Sequence, residues 1–100
     1  MALEVRWSPK SLQKFHSVIS YLDENWGNQV AKDFVRRTEI LIQTLTVQPK
    51  IFKSISSTLE IREAVVTKHN LMIYKIKDNK LVLLTFFDTR QHPKKKFPNP

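Results

Sequence analysis

Apolar positions in this chain keep two different periods, and the change between them divides it into parts. Residues 2–7 alternate, with Leu3, Val5 and Trp7 on one face and Glu4 and Arg6 on the other. That two-residue repeat predicts a short half-buried strand. Beyond it Leu12, Phe15, Val18 or Ile19, and Leu22 recur at spacings of three and four, one apolar stripe of an amphipathic helix. Ser8-Pro9 supplies its start, a hydroxyl to cap free amides and a proline where the missing N–H does no harm. Gly27, the only glycine in the chain, stands where that helix should stop, because glycine enters the left-handed region without strain. A second helix is expected from Asn28 to about Val47, with Val30, Phe34, Thr38, Leu41 and Leu45 on its stripe and Lys32, Arg36, Arg37 and Glu39 largely off it; Pro49 closes it. Two stripes joined by a short Gly-Asn connection predict an antiparallel helical hairpin that needs a sheet to finish its burial.

The sheet should follow. Residues 50–58, with their serines, read as a turn-like loop, and residues 60–67, 70–76 and 80–87 are rich in Ile, Val, Leu, Phe and Tyr. The Asp78-Asn79 pair between the last two segments tolerates the positive φ of a tight hairpin turn. Short connections between successive strands predict an antiparallel meander. The expected fold class is α+β: a β-strand, an antiparallel helical hairpin, then a three-stranded antiparallel meander, with the first strand joining that sheet. At 100 residues the chain makes one domain spanning residues 1–100.

Composition adds exclusions. Hydrophobic residues at 41% and charged ones at 26% describe a globular chain. With no cysteine, disulfides and thiolate metal sites are ruled out, and His16, His69 and His92 lack ligand spacing, so no metal or cofactor is expected. No apolar run approaches a membrane span and the amino terminus lacks a secretory apolar region, which makes a cytoplasmic location the expectation. The net charge of +8 is regional: residues 1–66 hold nine Lys or Arg against seven Asp or Glu, and residues 67–100 hold eight against two. With a pI near 10.0, such a field favours an anionic partner, either nucleic acid or an acidic protein segment.

The order WSPKSLQKFHSVISYL, AKDFVRRTEILIQTL, a proline, IREAVV, LMIYKI and FFDTRQHPKK resembles the RelE/ParE superfamily, the toxins of type II toxin–antitoxin systems, also called the plasmid stabilisation family. The likeness spans nearly the whole chain. Its most specific parts are the aliphatic-Tyr strand at Ile73-Tyr74 and the exit from Phe87 to Pro93, similar to the family's FDTRQNP with His92 where Asn is usual. The resemblance implies a RelE/ParE-like fold, a cognate antitoxin whose disordered segment folds onto the toxin, and contact with operator DNA only through that antitoxin. It also implies one of two targets: ribosomal messenger RNA, cut without metal by RelE-like members, or DNA gyrase, poisoned by ParE-like members.

Metal-free RNA cleavage needs a base, an acid for the leaving oxygen, and fixed cations over the developing phosphorane charge. Carried over by the resemblance, the catalytic candidates of a nuclease would be Arg62, Arg90, His92 and Tyr74. Two expected cations are missing, since Ala64 and Leu71 occupy their positions, and the C terminus KKKFPNP has no tyrosine. The ParE-like reading is therefore preferred to the nuclease. Arg90, Lys94, Lys95 and Lys96 are then the candidates for binding target or antitoxin.

Each candidate also has a plain structural reading. Tyr74 alternates with Met72 and Ile76 as a core residue would, Arg62 between Glu60 and Glu63 could be a solvent-facing cation, and Arg90 could pair with Asp88, Glu60 or Glu63. His69 reads as a turn residue, the three lysines as a solvated tail, and Trp7 and Trp26 as packing against the first helix. A basic module that docks on nucleic acid by charge alone, without toxicity, is the reading from a different class.

Overall fold

The computed structural model describes residues 2–56 and 60–90. Strand β1, Glu4–Trp7, leads into helix α1, Pro9–Trp26, and helix α2, Asn28–Val47. Strands β2, Ser54–Ser56, β3, Ile61–Thr67, β4, Asn70–Lys77, and β5, Lys80–Asp88, follow. They form one five-stranded sheet in the order β1-β5-β4-β3-β2, antiparallel except that β1 runs parallel to β5. The first strand thus joins the meander, as expected. The loop expected over residues 50–58 does not hold throughout, because Ser54–Ser56 pairs with β3 and extends the antiparallel run to four strands. Three residues with one apolar side chain carry too little periodicity to register as a strand.

Local chemistry sets the helix ends. The Ser8 side chain accepts from the Ser11 amide at 3.0 Å, and its hydroxyl donates to the Leu84 carbonyl at 3.3 Å. One residue therefore caps α1 and ties it to β5, a cap worth about 1 kcal/mol. Gly27 alone connects the helices, at φ 97° and ψ 159°. Its ψ is extended and not helical, so it is a break of a kind open almost only to glycine.

The helical stripes lie slightly off the expected positions. On α1 the buried residues are Ser11, Val18 and Leu22, while Leu12 is exposed; on α2 they are Ala31, Phe34, Thr38, Ile42 and Leu45, while Val30 is exposed and Leu41 is half-buried. Small Ser11 and Ala31 let backbone approach closely, and the larger neighbours turn outward. Over this layer Trp7, Phe15, Phe34 and Phe86 make an aromatic cluster with ring centroids 5.1 to 6.2 Å apart. Such pairs add about 1 kcal/mol each beyond area burial.

Alternation puts Ala64, Val66, Met72, Tyr74, Leu81 and Leu83 on the helix side of the sheet. In β5 the register slips: Tyr74 lies opposite Leu83 but Ile73 lies opposite Thr85, so Leu84 is an extra residue. Past this bulge the inward positions become Phe86 and Asp88. The bulge thereby buries an aspartate at the strand's exit. Asp78 and Asn79 both take positive φ, 52° and 62°, as their hairpin turn requires.

Candidate functional site

A cleft of about 250 Å³ opens between the first turns of α2 and the turn joining β3 to β4. Val30, Asp33 and Arg37 form one wall; Lys68, His69 and Arg90 form the other, with Thr67 and Asn70 beneath. Its floor is a chain of polar contacts. The Thr67 hydroxyl donates to Asn70 Oδ1, and Asn70 Nδ2 donates to Asp88 Oδ2 at 2.8 Å. Arg90 donates to Asp88 through Nε at 3.1 Å, through Nη2 at 2.9 Å and through its backbone amide at 2.8 Å. Every oxygen of a fully buried carboxylate side chain is thus satisfied.

The electrostatics follow from that geometry. Burial pushes the Asp88 carboxyl up, but the hydrogen bonds from Arg90 and Asn70 outweigh it and hold the group below the usual 3.8. The same contacts, against a smaller opposing effect of burial, raise Arg90. Its guanidinium carbon also sits 4.3 Å from the centre of the Trp26 ring, a cation–π stack. Trp26 is not packed away; it is half exposed and forms an aromatic shelf beside the cleft.

Tyr74 and Arg62 lie elsewhere. They face each other across β3 and β4, four residues along β4 from Asn70, or about 14 Å at ~3.4 Å per residue. The Tyr74 side chain is fully buried, and its hydroxyl donates to the Pro49 carbonyl at 2.7 Å. Burial raises its pKa above 10.0, partly offset by the charge of Arg62. Arg62 is not solvent-facing: its side chain is 12% exposed, Nη1 donates to the Phe52 carbonyl at 2.6 Å, and Nη2 lies 3.6 Å from Glu60. Together they fasten the connection that follows α2 onto the sheet.

Of the pairings open to Arg90, the structure realises Asp88. His69 occupies the turn and lines the cleft. His92, Lys94, Lys95 and Lys96 lie outside the described residues. Trp26, expected to pack against the first helix, stacks on Arg90 at the cleft's edge, whereas Asn70 and Thr67 are cleft residues that the sequence did not single out. Their only signal was an Asn and an Asp at opposite ends of adjacent apolar segments, which becomes a pair only once the register is known. Among the described residues no cluster of metal-binding side chains occurs, and no helix is long and apolar enough to cross a membrane.

A strand, a helical hairpin and an antiparallel run with a parallel first strand is an architecture found in solved structures. Several solved structures share it, three of which follow. The chromosomal ParDE system of P. aeruginosa superposes with a TM-score of 0.71 at 12% identity, covering 87% of this chain and 96% of that one. The RelBE2 toxin–antitoxin complex of Mycobacterium tuberculosis gives 0.62 at 14% identity, covering 88% and 99%. The YoeB-YefM complex of Staphylococcus aureus gives 0.58 at 16%, covering 86% and 95%. No curated protein matches by sequence at a significant level. Residues 5–93 match the profile of the ParE toxin of type II toxin–antitoxin systems. The chain belongs to that family, within the RelE/ParE superfamily.

Proposed function

We propose that this toxin acts in the ParE-like manner, poisoning DNA gyrase, and that a cognate antitoxin restrains it by laying an acidic segment into the cleft beside Arg90. One observation carries the first part. Both arginines that a nuclease would use are committed to holding the fold, Arg62 on Phe52 and Glu60, Arg90 on Asp88. Arg62 lies on β3 opposite Tyr74, and Arg90 follows β5 just past the Asn70–Asp88 pair at the other end of β4, so the two do not converge on a common point. A phosphorane would then find little fixed charge among the described residues.

The second part draws on what borders the cleft. Lys68, Arg37, His69 and the 39% exposed Val30 line it, and Trp26, 50% exposed, stands beside it. An acidic segment with apolar anchors could bury those side chains and match that charge, folding as it binds.

The test is to induce the protein alone in a bacterial host and score viability, DNA breaks and message cleavage in the same cells. Arrest with broken DNA and intact messages, relieved by the protein encoded beside it, is the expected result. Messages cleaved on ribosomes with DNA intact would establish the RelE-like activity instead.

A further inference from the structure

The face of the sheet turned away from the helices carries a second basic feature, far from the cleft. Val5, Trp7, Ile76 and Leu81 pack toward the helical hairpin, so their neighbours Glu4, Arg6, Lys75, Lys77 and Lys80 stand on the opposite face. Register gathers them into one area. Lys77 lies directly opposite Lys80, Glu4 is the partner of Lys80 on the other side, and Arg6 and Lys75 flank Val82. Neighbouring strands are about 4.8 Å apart and same-face residues along a strand about 7 Å apart. Four cations therefore occupy a patch on the order of 10 Å across.

Little neutralises them. Arg6 meets Glu4 at 2.6 Å in a pair more than half exposed, which adds little stability. Among the described residues Lys75, Lys77 and Lys80 have no acidic partner. Like charges directly opposed across two strands destabilise a hairpin, so the Lys77–Lys80 pair opposes folding. Its charge density is available to a polyanion.

The surroundings select which polyanion. None of the exposed large apolar side chains, Leu12, Trp26, Val30, Ile40, Val47, Ile51, Ile55 and Val65, belongs to this patch. A protein segment that folds on binding needs such anchors, and single-stranded nucleic acid needs aromatic platforms. A duplex backbone needs neither; it is held by cations at phosphate spacing. We propose that Arg6, Lys75, Lys77 and Lys80 form a docking surface for the phosphate backbone of double-stranded DNA, contacted by the toxin itself. The patch rests on these residues alone and does not depend on which cellular target the toxin attacks.

Binding of a short labelled DNA duplex of mixed sequence, followed by fluorescence anisotropy between about 50 and about 200 mM salt, tests it. The full chain should bind with a log–log salt slope of about −3.6, close to −0.9 for each of four phosphates engaged. Lys75→Ala/Lys77→Ala/Lys80→Ala should weaken binding at least about ten-fold and flatten the slope by about 2.7 units. Lys10→Ala/Lys14→Ala/Lys32→Ala removes the same charge from the helical layer and should leave both nearly unchanged. Should the first variant fail to fold, Lys77→Gln/Lys80→Gln, at the tip of the hairpin, carries the test. Equal losses in the two layers, no duplex binding by the wild-type chain, or tighter binding of single-stranded RNA than of the duplex would each overturn the proposal.

Discussion

Asp88 holds Arg90 at three points, the side-chain Nε and Nη2 and the backbone amide, while Trp26 covers the guanidinium at 4.3 Å. The arginine two residues beyond the last strand is thus fixed in place by the aspartate that ends it. Arg90→Ala leaves the buried carboxylate with Asn70 as its remaining side-chain donor, and should destabilise the protein by about 3 kcal/mol, or about 10 to 20 °C in Tm for a domain of this size. Arg90→Lys should recover only part of this, because an ammonium cannot reproduce the two-point contact. Denaturant unfolding of the three proteins checks both statements.

Acid should undo the same contact. The Asp88 carboxyl is held below 3.8, against the opposing effect of burial, by Arg90 and Asn70. A depressed folded-state pKa gives stability that is complete above the unfolded value and is lost as pH falls through the folded one. The Tm of the wild type should therefore fall as pH drops below 3.8, and Asp88→Asn should show a smaller decline over that window. Thermal melts across the acid range distinguish the two.

If Tyr74 and Arg62 serve the fold and not chemistry, their removal should reach stability first. Tyr74→Phe deletes the hydrogen bond to the Pro49 carbonyl and should cost about 1 kcal/mol; Arg62→Ala deletes the bond to the Phe52 carbonyl and should cost a similar amount. Growth arrest on induction should persist in both variants. Loss of message cleavage in either, with melting unchanged, would reverse the assignment.

Gly27→Ala tests the helical connection. No atom lies within 4 Å of where a Cβ would sit, so steric crowding is absent and the φ of 97° alone resists the change. The expected loss is about 1 to 3 kcal/mol, read by denaturant unfolding.

Trp26 offers half its surface beside the cleft, in the position of an interface anchor. Trp26→Ala should weaken antitoxin binding at least about ten-fold, or 1.4 kcal/mol, measured by titration calorimetry with the purified antitoxin.

Apart from β2, the order of elements was legible in the chain because each rests on local chemistry. Ser8-Pro9, Gly27 and Asp78-Asn79 are start, break and turn whatever surrounds them, and apolar periods of two and near four name strand and helix without reference to a partner. Family membership was legible for the same reason, since IREAVV, LMIYKI and FFDTRQHP are contiguous. What the chain alone left open were the quantities that depend on register. An extra residue at Leu84 changes which side chains of β5 point inward, and no periodicity of the neighbouring residues announces it. That slip decides that Asp88 is buried beside Asn70 and that Arg90 is bound to it. Cross-strand pairing likewise sets Lys77 against Lys80 and Arg62 against Tyr74. Sequence determined which residues carry charge and which elements they ride on; tertiary structure decided which charges meet, because pairing across strands brings together residues that no local pattern connects.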